Sequence, residues 1–343
     1  MAGAIMSLGD ASSQAQAPAQ PRPADRPGQE TGDAPAETGA VSGPPAGASP
    51  AARTRWLSGH IEQLIAERPA LADARIAVHI RDIAGEQVLY RRAADQPMSV
   101  ASCSKVITAA AALAILGPNF RPTTAVLAEA VEPGGVIPGD LYLRGRGDPE
   151  LAIGDLRRLA DGLVRAGITR VGGQLILDDS YFDGDISPPH FDEQPDEQAS
   201  FRAPVSALSP RYNAFAVYVR PAPGGQGAAT AWLEPPGDYA RIALSEVLTQ
   251  PTGRNRIRLV NKVVDGRSQL TLTGQIRADS PVQRYRQRIA DPLAFVGSVF
   301  RQMLRERDIR IGRRVRRGES PDDVQLLAMT SGPPVAVAVR SLG

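Results

Sequence analysis

Apolar residues recur at helical spacing in three places. Leu57, Ile61, Leu64 and Ile65 mark a helix that Pro69 closes, and Leu156, Leu159, Leu163 and Val164 mark a second that ends at Gly167. The third is Leu293, Val296, Phe300, Met303 and Leu304, opened by the N-cap and first-turn pair Asp291-Pro292. Alternation of period two appears where Ile76, Val78 and Ile80 interleave with Ala77, His79 and Arg81. After the turn at Ala84-Gly85, residues 87–91 complete a hairpin. His79 falls on the polar side of that strand, the place of a structural residue rather than a catalyst. Further strands are predicted over 139–143, 174–179, 256–264, 269–276, 309–316 and 324–328, and Ser331-Gly332-Pro333-Pro334 opens a last helix. The run Gly139 to Pro149 reads as a strand ending in a glycine-rich turn. It lacks the Gly-Lys-Ser/Thr of a phosphate loop.

Composition bounds what these elements can do. Residues 1–53 are rich in Ala, Pro, Gly and Gln and hold no aromatic residue, so they read as a disordered segment. The remaining length suffices for two or three packed units. A net charge of +2 points to neither a nucleic acid nor a membrane surface, and no apolar run reaches the roughly 18 residues of a transmembrane segment. The Ala-rich stretch from Val106 to Leu116 is instead expected to be a buried helix. Cys103 is the only cysteine and is read as a packing residue. His60, His79 and His190 offer no zinc-ligand spacing, so no metal or organic cofactor is expected.

The stretch Ser99 to Thr108 carries the candidate chemistry. Ser102 suits the N-cap or first turn of the Ala-rich helix, which Gly117-Pro118 stops, and Lys105 lies three positions on, where helical neighbours meet. A serine hydroxyl needs a base, and a lysine can lose its proton to serve as one where arginine cannot. Among 39 basic residues only Lys105 and Lys262 are lysine. The bland alternative is a capping serine beside a solvated lysine. Chance would place a serine three residues before one of two lysines in roughly one such chain in ten.

A longer series of matches is more specific. Ser102-x-x-Lys105 is followed by Leu116 to Thr124, by Gly139-Asp140-Leu141-Tyr142-Leu143 with Gly147-Asp148-Pro149, by Asp178 to Asp183, and by Ala203 to Ser209. From Trp56 onward the chain resembles the D-alanyl-D-alanine carboxypeptidase/endopeptidase family, the low-molecular-mass class C penicillin-binding proteins. The resemblance implies an α+β fold, that of the penicillin-recognising serine transferases of the DD-peptidase/β-lactamase type, with inserted mostly-β domains. It divides the chain into the disordered segment 1–53, a first transpeptidase-like part at 54–122, inserted β units at 123–282 and a return into the transpeptidase-like domain at 283–343. It also implies Ser102 as nucleophile, Lys105 as general base and peptidoglycan stem peptides as substrate. β-Lactam antibiotics are then covalent inhibitors. Counting back from Phe201, the acidic residue that reads the amino group of the stem-peptide side chain falls on Asp196. Such a substrate lies outside the cytoplasmic membrane, so a periplasmic or extracellular location is expected, although no proper signal peptide is visible: Met1 to Ala17, ending in Ala15-Gln16-Ala17, reads at most as the tail of one whose beginning is missing.

One departure is plain. The family completes its site with Ser-x-Asn and Lys-Thr-Gly, and neither triplet occurs here. The expectation is a chain cut short of them, missing part of its site and a sheet strand whose loss would expose an edge. Two other readings compete: a non-catalytic wall-binding relative, and a β-lactamase, for which no Glu-x-x-Leu-Asn is placed.

Overall fold

The computed structural model describes residues 43–99, 101–187, 198–312 and 314–341. The chain divides into two compact units, residues 1–102 and 103–343. In the first, helix α1 (Pro50–Ala66) is capped by Ser49, whose side chain accepts the Ala52 N–H, and Pro50 occupies the first turn. Strands β1 (Val78–Arg81) and β2 (Val88–Arg92) form the expected hairpin, with Ile80 opposite Tyr90. Glu62 of α1 fastens it, accepting from the Tyr90 hydroxyl at 2.5 Å and pairing with Arg92. The helix begins inside the segment read as disordered, because cap and proline supply a start that composition hides.

The 3-10 turn Ala101–Cys103 straddles the boundary at residue 102, and the second unit continues in helix α2 (Ser104–Leu116). That helix was expected to be buried, and it is not. No residue of it is buried, and Val106 and Ile107 are each 71% exposed. Helix α5 (Val335–Ser341) lies against it, tied by the N–H groups of Val335 and Ala336 to the carbonyls of Phe120 and Pro118.

After α2 come β3 (Thr123–Ala128), β4 (Val136–Ile137), β5 (Leu141–Gly145), helix α3 (Ile153–Arg165), β6 (Arg170–Val171) and β7 (Leu175–Asp178). Then follow β8 (Ala214–Arg220), β9 (Gly227–Ala228), β10 (Thr230–Glu234), β11 (Ala240–Gln250), β12 (Arg256–Val264), β13 (Arg267–Arg277) and β14 (Gln283–Arg288). Helix α4 (Pro292–Arg305) precedes β15 (Val315–Arg317) and β16 (Gln325–Ser331).

The main sheet has the order β15-β7-β5-β3-β16, and β5 and β7 run parallel because α3 carries the chain across between them. Strands β3, β5 and β7 are almost wholly buried, as continuous apolar strands of a covered sheet must be. The two amphipathic helices do the covering. Leu156, Leu159 and Leu163 of α3, and Phe295, Val296, Val299 and Phe300 of α4, sit in one core with Leu143 and Leu177 of the sheet. Gly162 and Gly297 permit this approach, since a Cβ there would meet Ala328 at 2.7 Å and Val315 at 2.6 Å.

Among the described residues three further sheets complete the unit, β10-β8-β14, β12-β13-β11-β9 and the two-stranded β4-β6. Strands on both sides of residue 282 thus share sheets: β14 pairs with β8, and β16 pairs with β3.

Candidate active site

Ser102 lies in the 3-10 turn rather than at the N-cap, which is Cys103 with no side-chain capping bond. Lys105 occupies the first turn of α2, and both residues are exposed. Asp196 lies outside the described residues.

Lys105 borders a cavity of about 560 Å³ whose other walls include Asp148, Phe182, Ser206, Tyr212 and Arg286. Three loops and one strand build those walls. The turn after β5 supplies Asp148, which is buried and accepts the Glu150 N–H at 3.0 Å. Burial raises the Asp148 carboxyl above its ordinary pKa, against that hydrogen bond, and the charges of Asp155 and Glu150 push the same way. The strand itself comes close: a Cβ on Gly145 would stand 2.2 Å from the Ala207 carbonyl oxygen.

The second wall, residues 203–213, is a knot of hydrogen bonds. The Ser206 hydroxyl donates to Asp179 at 3.2 Å and accepts the Leu208 N–H at 3.1 Å, while the Asn213 amide donates to the Pro204 carbonyl and to Ser209, both at 2.8 Å. These bonds hold three successive residues without glycine at positive φ: Arg211 at 55°, Tyr212 at 58° and Asn213 at 49°. A left-handed run of L residues is costly and persists only where the surroundings enforce it. Here it turns Tyr212 to the cavity. Behind it, Asp179 also pairs with Arg317 at 2.8 Å.

Asp178 is the counterpart of Asp148. Burial would raise its pKa, yet hydrogen bonds from the hydroxyls and N–H groups of Ser180 and Ser320 outweigh that and hold the carboxyl below its ordinary range. Two buried aspartates are thus tuned in opposite directions, Asp148 at the cavity and Asp178 in the scaffold.

The model of one family, described as D-Ala-D-Ala carboxypeptidase 3 (S13), matches residues 57–341. The chain belongs to that family. Among its relatives, a D-alanyl-D-alanine carboxypeptidase of Actinomadura sp. strain R39 is 30% identical over 290 residues, covering 81% of this chain and 53% of the relative. The D-alanyl-D-alanine carboxypeptidase DacB of Haemophilus influenzae is 40% identical over 85 residues, 25% of this chain and 18% of that protein. The chain spans about half the length of the first of these relatives. The crystal structure of penicillin-binding protein 4 from Haemophilus influenzae aligns with a TM-score of 0.63 at 23% identity, over 80% of this chain and 60% of that one. A complex of the same protein with a β-lactam aligns at 0.57 and 21% identity, over 80% and 58%. The fold is therefore the expected α+β fold of the penicillin-recognising enzymes.

Asp148, Tyr212, Asn213 and Arg286 were not singled out as site residues from sequence. Asn in a Tyr-Asn pair tolerates positive φ and was a usable signal for the turn. Nothing local marks Arg286, which arrives on β14 from far along the chain.

Proposed function

We propose that the chain serves a serine-type D-Ala-D-Ala carboxypeptidase reaction on peptidoglycan stem peptides, and that the same chemistry extends to peptide cross-links. Ser102 Oγ attacks the carbonyl carbon of the penultimate D-alanine while the Lys105 amine takes its proton. The tetrahedral intermediate collapses, the peptide C–N bond breaks, and the protonated terminal D-alanine leaves an ester on Ser102 that water then hydrolyses. A β-lactam acylates the same oxygen by ring opening, with no separate leaving group. Asp196 would pair with the ammonium group of the stem-peptide side chain, and the site of action is periplasmic or extracellular. Among the described residues no helix is long and apolar enough to cross a membrane.

The observation that carries this reading is Lys105, one of two lysines, at the edge of a cavity large enough for a dipeptide terminus. Ser200, Phe201 and Ala203 to Ser206, a few places beyond Asp196 in sequence, border the same cavity. The test is acylation by a fluorescent penicillin, followed by gel and by mass spectrometry of the labelled peptide. A covalent adduct on Ser102, absent in Ser102→Ala, is expected. An adduct that survives Ser102→Ala overturns the assignment. So does the absence of any adduct on chain shown to be folded by circular dichroism.

A further inference from the structure

The sheet β12-β13-β11-β9 has one buried face and one open face. Leu270, Leu272 and Ile276 of β13 enter the core, so the residues between them point outward. Register assigns the rest. Directly opposed residues share a face, and Arg256 stands across from Gln275, Arg258 from Thr273, Lys262 from Gln269, and Val264 from Arg267. On the other flank Arg241 neighbours Gln269 and Glu246 neighbours Thr273.

The open face thus carries Arg241, Arg256, Arg258, Lys262 and Arg267 with Glu246 and the apolar Leu244, Leu248, Val260 and Val264, while Asp238 and Asp265 share a cavity with Arg241 and Arg267 at one end. Among the described residues none of these five cations has a side-chain hydrogen bond or ion pair. Arg277, at the end of the same face, is taken up by Asp279. A chain of net charge +2 has therefore gathered five cations on one open sheet face. Three of the cations lie on the edge strand β12, where alternate residues are about 6.8 Å apart. Between the cation rows stand Gln269, Thr271, Thr273 and Gln275, a polar band of hydroxyls and amides.

We propose that this face binds a linear phosphodiester polymer with polyol repeats. Guanidinium groups match phosphate oxygens in bidentate geometry, and the Thr and Gln row suits the hydroxyls between phosphates. Single-stranded nucleic acid is the poorer match, because it is held by stacking and none of the four strands carries an aromatic residue. The inference is independent of the acylation chemistry.

The experiment titrates the chain with labelled poly(glycerol phosphate) and follows fluorescence anisotropy at 50 and 200 mM NaCl. Saturable binding that weakens with salt is expected. The combined Arg256→Gln, Arg258→Gln, Lys262→Gln variant should lose about tenfold or more in affinity and flatten the salt slope by about 2. Arg241→Gln with Arg267→Gln tests the same face without touching the edge strand. Arg55→Gln, Arg68→Gln and Arg75→Gln together remove equal charge elsewhere and should leave binding intact. The proposal fails if the unsubstituted chain shows no saturable binding, or if both face variants bind as it does. It also fails if a single-stranded oligonucleotide or polyglutamate of equal charge binds as tightly as the polyol phosphate.

Discussion

Lys105 is where charge and basicity part company. A lysine and an arginine share a positive charge, but only lysine can give up its proton near neutral pH. If Lys105 is the base, Lys105→Arg should slow penicillin acylation as far as Lys105→Ala does, by about 10²–10⁴-fold in a timed labelling assay. Retention of most of the rate by arginine would make its role electrostatic. The two tuned aspartates make a paired prediction. The folded pKa of Asp178 lies below its unfolded value, so its contribution is present above that unfolded value and is lost as pH falls through the folded one. Asp178→Asn should cost about 2 kcal/mol at pH 7 and reduce the loss of stability in acid, both read by urea unfolding. Asp148 is raised, so its contribution belongs to low pH and fades as pH rises through the folded value. Asp148→Asn keeps the acceptor for the Glu150 N–H and should leave stability at pH 7 unchanged or higher.

Elements differ in how plainly the sequence announces them. Helix α3 buries one face and α4 most of its circumference, and in both the large apolar residues fall at helical spacing and are legible. Strand β13 is half-buried and alternates Leu270 and Leu272 with threonines. Strands β3 and β8 are covered on both sides and lose any period of two, and β11 shifts register between Ile242 and Leu244. The site divides the same way. The proposed pair Ser102 and Lys105 rests on a local sequence pattern, whereas the cavity walls contributed by Asp148, Tyr212 and Arg286 depend on long-range pairing. Helix α2 misled because its composition is that of a core helix while Ile107 and Ile115 stay 71% and 81% exposed. Ile107→Ser with Ile115→Ser should therefore change unfolding free energy by no more than about 0.5 kcal/mol, yet lower binding of a hydrophobic dye. Phe300→Ala in α4 should by contrast cost about 3–5 kcal/mol in the same unfolding measurement.

At the scale of the whole molecule, the pairing of the main sheet decides how the long middle of the chain is held. Strand β16 closes beside β3, with Ser331 opposite Thr123. The two ends of everything between them are therefore neighbours in space, joined by a ladder of hydrogen bonds. Such a segment behaves as a cassette, which a host chain can accept or surrender without threading. Residues 123–331 expressed alone should unfold in one cooperative transition, and so should a circular permutant in which a short glycine linker joins 331 to 123 and the turn at Gly224-Gly225 is opened. A broad, non-cooperative melt of both would show that the cassette depends on its host.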